Sequence, residues 1–114
     1  MRFDEYQKAA HRTSLNTSFG DRDPMSRLIY PTLKLAGEAG EFAEKVGKLL
    51  RDKEGVLDDA DRTALADELG DVLWYAAEVA TVLDVELGDV AERNIAKLRS
   101  RAERGVLQGS GDNR

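Results

Sequence analysis

The sequence predicts an all-α protein that folds as an antiparallel four-helix bundle. In four stretches of the chain, apolar residues recur at spacings of three and four, the pattern of a helix with one buried face. No stretch alternates apolar and polar residues as a half-buried strand does. The 114 residues include only two prolines, and alanine, leucine, glutamate and arginine are abundant, which favours helices. Helices joined by short connections commonly pack as antiparallel neighbours.

A polar segment separates the first two predicted helices. Phe3, Tyr6 and Ala10 indicate a first helix from residue 3 to about residue 14. Residues 16–24 predict a loop, and residues 25–30 predict a helical turn. Because proline is tolerated in the first turn of a helix, a long second helix is predicted to begin near Pro31 and to end near Asp52.

The second half of the chain predicts two more helices and a tail. Asp58 and Asp59 are candidate N-caps of a third helix, whose broad apolar face extends to Leu83. A break over residues 84–88 precedes the fourth helix, in which Ile95 and Leu98 are expected to face the bundle. Residues 1–104 are therefore predicted to form one helical domain, and residues 105–114 a glycine-rich C-terminal tail.

The composition excludes several classes of protein. Without cysteine, the chain has neither a disulfide framework nor thiolate chemistry. No segment resembles a signal peptide or a transmembrane helix, so we expect a cytoplasmic protein with no membrane partner. A net charge of −5 argues against a nucleic acid polymer as partner.

Two pairs of acids stand out within the predicted helices. Glu38 and Glu41 are three residues apart on the second helix, and Glu68 and Asp71 repeat this spacing on the third. Residues three apart lie on the same side of a helix, so the four carboxylates converge if the two helices pack together. Unpaired carboxylates in one cleft repel each other and raise their own pKa values, and a divalent cation removes that conflict. The alternative is that these charges are simply solvated helix faces.

The residue types limit which metal such a site would hold. Di-iron bundles use Glu-x-x-His motifs, and the single histidine, His11, lies far from both acid pairs and is expected at the surface. An oxygen-only site favours Mg²⁺, with Mn²⁺ as a substitute. The glycines beside the acids, Gly37, Gly40 and Gly70, either make room for a ligand or mark helix–helix contact points.

The motifs resemble those of the MazG-like, all-α nucleoside triphosphate pyrophosphohydrolases. Glu-x-x-Glu is followed by 26 intervening residues and then by Glu-x-x-Asp, in the contexts GEAGE and ELGDVLWY. The segments YQKAAHRT, LKLAGEAGEFAEKVGKLLRD, DELGDVLWYAAEVATVLDV and NIAKLRSRAERGVLQGSGDNR are similar to the family's successive helices and tail, so the resemblance covers most of the chain.

The resemblance implies Mg²⁺-dependent cleavage of a (d)NTP to a (d)NMP and pyrophosphate, with cleansing of the nucleotide pool as one use. The metal-binding and catalytic residues would be the four acids of the two motifs, Glu38, Glu41, Glu68 and Asp71. Asn94 and Lys97 match the family's substrate-binding pair on the last helix, where Lys97 would supply positive charge to a phosphate. The resemblance also implies a homodimer or homotetramer, which the broad apolar face of the third helix independently favours.

One departure concerns the general base. Many relatives have two adjacent glutamates at the start of the first motif, and Gly37 occupies the first of those positions here. Glu44, or a metal-bound water that needs no separate base, would have to serve instead.

The nucleobase and the tail are further points of prediction. Tyr75 and Trp74 are candidates to stack on a base, although Trp74 is favoured as a core residue, and Tyr6, Gln7 and Thr13 are weaker candidates. Arg93, Lys97, Arg101 and Arg104 form a basic stripe, and the hypothesis is that stripe and tail close over the triphosphate.

Three alternatives to this function are kept. The scaffold also suits a dUTPase-like enzyme or a phosphoribosyl-ATP pyrophosphatase, which likewise release pyrophosphate. The third is a non-catalytic helical assembly module, in which the acids bind a structural metal or a basic partner. The substrate preference within the enzymes is open from the sequence.

Overall fold

The computed structural model describes residues 1–15, 23–105 and 109–112. These residues form four α-helices and no β-strand: α1 (Phe3–Arg12), α2 (Pro24–Lys53), α3 (Asp59–Val82) and α4 (Leu87–Glu103). The all-α class and the four helices are therefore as predicted for the described part of the chain. The most extensive contact is between α2 and α3, α1 packs on α3, and α4 contacts α1. The predicted loop over residues 16–24 lies largely outside the described residues.

The start of α2 differs from the prediction. The helix begins at Pro24, not near Pro31, so residues 25–30 are its first turns and not a separate helical turn. Asp23 is the N-cap, and its carboxylate accepts hydrogen bonds from the Ser26 backbone N–H at 3.0 Å and from the Ser26 hydroxyl at 2.9 Å. With Pro24 at the first helical position, this start signal is complete without Pro31. Pro31 lies inside the helix, where it has no N–H to donate, and its side chain is buried.

The turn between α2 and α3 is closed by local hydrogen bonds. Glu54 and Gly55 adopt left-handed backbone conformations, and the Gly55 N–H donates to the Leu49 carbonyl. Asp58 then begins α3 with a capping box: its carboxylate accepts from the Asp61 N–H at 2.8 Å, and the Asp61 carboxylate accepts from the Asp58 N–H at 3.2 Å. The prediction that an aspartate caps α3 at Asp58 is confirmed.

Side chains of α1 hold the start of α4. The Gln7 amide oxygen accepts from the Leu87 N–H at 2.8 Å, and its amide nitrogen donates to the Val85 carbonyl at 2.9 Å. Asp4 accepts from the Gly88 N–H at 2.8 Å, and a Cβ at position 88 would lie 2.8 Å from that Asp4 oxygen. The first turn of α4 is thus capped from another helix, because its own N-cap residue, Glu86, makes no side-chain cap.

The hydrophobic core is small for four helices. Its buried apolar residues are Ala10, Ala77, Ala80 and Leu87, with Tyr6 and Trp74 partly buried against them. Large apolar side chains remain exposed along α2, α3 and α4, including Leu33, Leu50, Leu69, Ile95 and Leu98. The expectation that Ile95 and Leu98 face a bundle interior is therefore wrong for the single chain, in which these side chains are 46% and 37% exposed. None of the helices formed by the described residues combines the length and the hydropathy of a membrane span.

Candidate metal site

Three of the four predicted site acids come together between α2 and α3. Carboxylate oxygens of Glu38, Glu41 and Glu68 all lie within 4.8 Å of one another. Glu38 and Glu41 are one turn apart on α2, so they share a face, and the packing of α3 brings Glu68 to them. Asp71 lies outside this group of three oxygens, on the exposed side of α3. The pKa of Glu38 is nevertheless raised by burial, by Glu41 and, to a smaller extent, by the charge of Asp71. Asp71 therefore acts electrostatically on the cluster.

The cluster contains carboxylate oxygens that have no partner. The side chains of Glu38 and Glu68 are only 13% and 15% exposed. Their Oε2 atoms are buried and accept no hydrogen bond, an arrangement that costs free energy because buried polar groups are normally satisfied. Burial raises the pKa of Glu38. The charge of Glu41 and a hydrogen bond between the Glu38 and Glu41 side chains raise this pKa further. The donor set, all carboxylate oxygen, fits a hard divalent cation.

Two lysines of α2 flank the cluster. Lys45 forms an ion pair with Glu68, and the Lys34 ammonium lies 4.0 Å from a Glu38 oxygen. The hydrogen bond to Glu68 raises the pKa of Lys45, and the charges of Glu41 and Asp71 act in the same direction. Sequence reasoning missed both lysines. The available signal was their spacing, since each stands four residues from a motif glutamate on the same helix.

The glycines near the acids leave open space. A Cβ placed on Gly37, Gly40 or Gly70 would meet no described atom within 4 Å. They are therefore not close helix–helix contact points within this chain. The space beside them is available to a ligand or to a second copy.

The predicted general-base candidate lies outside the cluster. Glu44 is exposed and forms an ion pair with Lys48 at 3.3 Å. It does not belong to the group of three clustered glutamates.

Of the aromatic candidates, Tyr75 lies beside Lys34, one of the lysines that flank the cluster. Its ring packs edge-on against Trp74, with centroids 4.8 Å apart, and the Lys34 ammonium lies 5.8 Å from its centroid. Burial raises the pKa of Tyr75, and Tyr30 and then Glu38 contribute to the same shift. Trp74 instead packs against the core and donates from its indole to the Thr13 hydroxyl at 2.9 Å.

The weaker base-contact candidates have structural partners. Thr13 accepts the hydrogen bond from Trp74, and Gln7 holds the start of α4. Both side chains are therefore used in joining helices. Tyr6 is half-buried against the core, and its pKa is raised by burial and then by the charge of Asp71.

Of the predicted phosphate-binding residues of α4, Lys97 contacts a carboxylate of the C-terminal tail. Lys97 pairs with Asp112 of the tail at 3.2 Å, and the buried Arg101 donates to the same carboxylate at 3.1 Å. Asn94 is exposed on the same helix. Within the described residues, no hydrogen bond or ion pair joins Asn94 or Lys97 to the three clustered glutamates. One chain thus presents an acidic cluster on α2 and α3 and a separate basic pair on α4.

Sequence comparison decides the family. A model of the MazG nucleotide pyrophosphohydrolase domain matches residues 31–106, two thirds of the chain. The chain belongs to the MazG nucleotide pyrophosphohydrolase family. The MazG match includes both acid pairs and α4. The gene 37 protein of Mycobacterium phage L5 is 54% identical over 114 residues, which cover all of both chains. No solved structure matches the chain.

Proposed function

We propose that this MazG-family chain is a Mg²⁺-dependent nucleoside triphosphate pyrophosphohydrolase that converts a (d)NTP to the (d)NMP and pyrophosphate. Family membership supports nucleotide pyrophosphohydrolase activity in general. The observation that carries the metal dependence is the pair of buried, partnerless Oε2 atoms of Glu38 and Glu68 beside Glu41. An oxygen-only donor set of this kind suits Mg²⁺, and Mn²⁺ is a suitable substitute.

The proposed roles follow the position of each acid. Glu38, Glu41 and Glu68 would hold the cation, with Asp71 as a fourth ligand one helical turn from Glu68. When bound, the cation would neutralise phosphate oxygens and activate a water. Glu41 is exposed and opens the cluster toward solvent, so substrate phosphates can approach from that side. The pairing of Glu44 with Lys48 does not support Glu44 as the general base.

Different observations support the substrate-binding roles that we propose for Tyr75, Asn94 and Lys97. Tyr75 lies close enough to Glu38 for its charge to affect the tyrosine pKa, which suits a ring that stacks on a base beside the metal. Lys97 already holds an anion, the Asp112 carboxylate, together with Arg101. We propose that a substrate phosphate takes the place of this carboxylate, and that Asn94 adds a hydrogen bond.

A homodimer or homotetramer is part of this proposal. Among the described residues, the single chain buries few large apolar side chains and exposes many, and Ile95 and Leu98 of α4 remain 46% and 37% exposed. A second copy would bury such surfaces. Association would also let the basic pair of one copy approach the acidic cluster of another.

Pyrophosphate release across a substrate panel tests the function. The panel comprises canonical and damaged dNTPs and NTPs, dUTP and phosphoribosyl-ATP, each with and without Mg²⁺, and Glu38→Gln serves as the inactive control. We expect Mg²⁺-dependent release of pyrophosphate from at least one nucleoside triphosphate. Preferential turnover of dUTP or phosphoribosyl-ATP would select one of the sister activities. No turnover of any nucleotide would contradict the proposal and favour a helical assembly module.

A further inference from the structure

Lys45 already places a positive charge in the acidic cluster. It lies on α2 one turn after Glu41, and its ammonium reaches across to Glu68 on α3. The lysine side chain is 49% exposed, whereas that of Glu68 is 15% exposed. A half-exposed cation on a flexible alkyl stem is thus paired with one of the most buried acids of the site.

The two oxygens of Glu68 are in different situations. Lys45 binds Oε1, and Oε2 is buried without a partner. A divalent cation bound at Oε2 would take oxygen ligands at about 2.0–2.1 Å, which places it beside the same carboxylate as the ammonium. Two cations at that separation repel each other strongly in a poorly solvated site. The ion pair and the bound metal therefore compete for Glu68.

The surroundings give Lys45 room to leave. It lines a groove of about 300 Å³ between the end of α2 and the start of α3, together with Lys48, Lys53 and Asp61. Of the two acids that line this groove, Asp61 is paired with Lys53 and Asp52 with Arg51. Lys48, which also lines it, is paired with Glu44. An ammonium that leaves Glu68 thus enters a groove whose nearby acids are engaged, and an added phosphate would be an available anion for it.

We propose that Lys45 is an exchangeable counter-ion of the metal site, which pairs with Glu68 before the divalent cation binds and afterwards turns to a phosphate of the nucleotide. The inference rests on the proposed function, since it assumes the metal site described above. It gives Lys45 two successive anionic partners. A lysine whose only role is to link α2 to α3 would remain paired with Glu68 after the metal and the nucleotide bind.

Binding of Mn²⁺ without nucleotide, measured by electron paramagnetic resonance, separates these two roles. Lys45→Met and Lys48→Met each remove one positive charge from α2 and keep an alkyl side chain, so long-range electrostatics change equally. If Lys45 competes with the metal, Lys45→Met binds Mn²⁺ about tenfold more tightly than the wild type, and Lys48→Met changes the affinity by no more than about twofold. Equal affinities of the two variants would overturn the exchange, and so would an absence of Mn²⁺ binding by the wild-type chain.

A non-hydrolysable nucleoside triphosphate tests the second partner. With saturating Mg²⁺, Lys45→Met is expected to bind the analogue roughly tenfold more weakly than the wild type, because one charge-assisted phosphate contact is lost. Unchanged analogue affinity would overturn the phosphate contact.

Mn²⁺ affinity and nucleotide turnover together separate the exchange of Lys45 from the proposed enzymatic function. Tighter Mn²⁺ binding by Lys45→Met in a chain that hydrolyses no nucleotide supports the exchange and refutes the enzyme, whereas turnover with unaltered Mn²⁺ binding does the reverse.

Discussion

The Nδ1 atom of His11 on α1 lies 3.2 Å from a carboxylate oxygen of Glu78 on α3. Glu78 is 2% exposed, whereas the imidazole of His11 is 55% exposed. His11 was expected to be an ordinary surface residue, and half of its ring is indeed in solvent. Its Nδ1 atom provides a hydrogen-bond partner for the buried Glu78 carboxylate at the contact between α1 and α3.

We therefore predict that His11→Ala lowers the free energy of unfolding by about 1–3 kcal/mol, the cost of leaving a buried polar group without its partner. Chemical denaturation followed by circular dichroism measures this. Lys8→Ala is the matched control, because it is an exposed residue of the same helix and should change stability by less than about 0.5 kcal/mol. Equal effects of the two substitutions would show that the contact contributes nothing to stability.

The acids of the site are predicted to matter for turnover and not for folding. Glu41→Gln and Asp71→Asn each remove a charge at nearly constant size. Each should lower Mg²⁺-dependent turnover at least about 100-fold, the upper end of the loss caused by replacing a supporting residue of a metal site. Helical content should remain, and a variant with near-normal turnover at limiting Mg²⁺ would exclude that residue from the site.

Glu41→Gln should also stabilise the metal-free protein. The charge of Glu41 contributes to the raised pKa of Glu38, which means that the folded state disfavours ionised Glu38. That penalty is absent at low pH, where Glu38 is protonated in both states, and it develops as the pH rises from about 4.5 to the raised pKa of Glu38. Near neutral pH, removal of the Glu41 charge should therefore raise the Tm, and a lower Tm would contradict repulsion within the cluster.

The tail acid Asp112 is predicted to compete with substrate. Arg101 and then Lys97 hold the pKa of Asp112 below its usual range, so this carboxylate is ionised at neutral pH and neutralises the basic pair. Asp112→Asn should lower the KM for nucleotide, because the phosphate no longer displaces a charged group. Steady-state kinetics on the preferred substrate measure this effect, and a raised KM would instead support a tail that assists binding.

Lys97→Ala tests the same surface in the opposite direction. It should lower kcat/KM by a factor that corresponds to roughly 1–3 kcal/mol of transition-state stabilisation, the range for a lost charge-assisted hydrogen bond. The circular dichroism spectrum should be unchanged, since the Lys97 partner is the exposed Asp112 of the tail. If kcat/KM did not change, the phosphates would have to be held by the metal and other cations alone.

Association is predicted from the uncovered apolar surface. Light scattering at micromolar concentration should give at least twice the 12.6 kDa mass of the chain. Ile95→Glu, which places a charge on the exposed apolar side of α4, should shift the protein toward monomer, whereas Glu103→Ala near the end of the same helix should not. A wild-type monomer would rule out the oligomer.

The cap of α3 gives a pH dependence away from the site. The Asp61 N–H and then Lys53 lower the pKa of Asp58, so ionised Asp58 stabilises the folded state above its usual pKa. This contribution is lost as the pH falls from about 4 through the lowered pKa. The Tm of Asp58→Ala should therefore lie below that of the wild type at neutral pH, and the difference should shrink in acid. A difference that stayed constant with pH would assign the effect to packing.

Local chemistry made several features of this protein predictable. The Asp58 capping box begins α3 because its hydrogen bonds involve residues three apart, and the spacing of Glu38 and Glu41 places them on one face of any helix. The start of α2 is also locally encoded, by the N-cap Asp23 and by Pro24 at the first helical position, and not by Pro31 as predicted. Such features depend on near neighbours in the chain, which a sequence displays directly.

Only the tertiary structure decided which partners meet across helices. The pairing of Lys45 with Glu68, of His11 with Glu78 and of Gln7 with the start of α4 joins residues 23, 67 and 80 positions apart. The same packing brings Glu68, but not Asp71, within 4.8 Å of Glu38 and Glu41, and it leaves Ile95 exposed. Periodicity predicts the face of a helix on which a side chain lies, but the rotation and offset of one helix against another determine which atoms come within hydrogen-bonding distance.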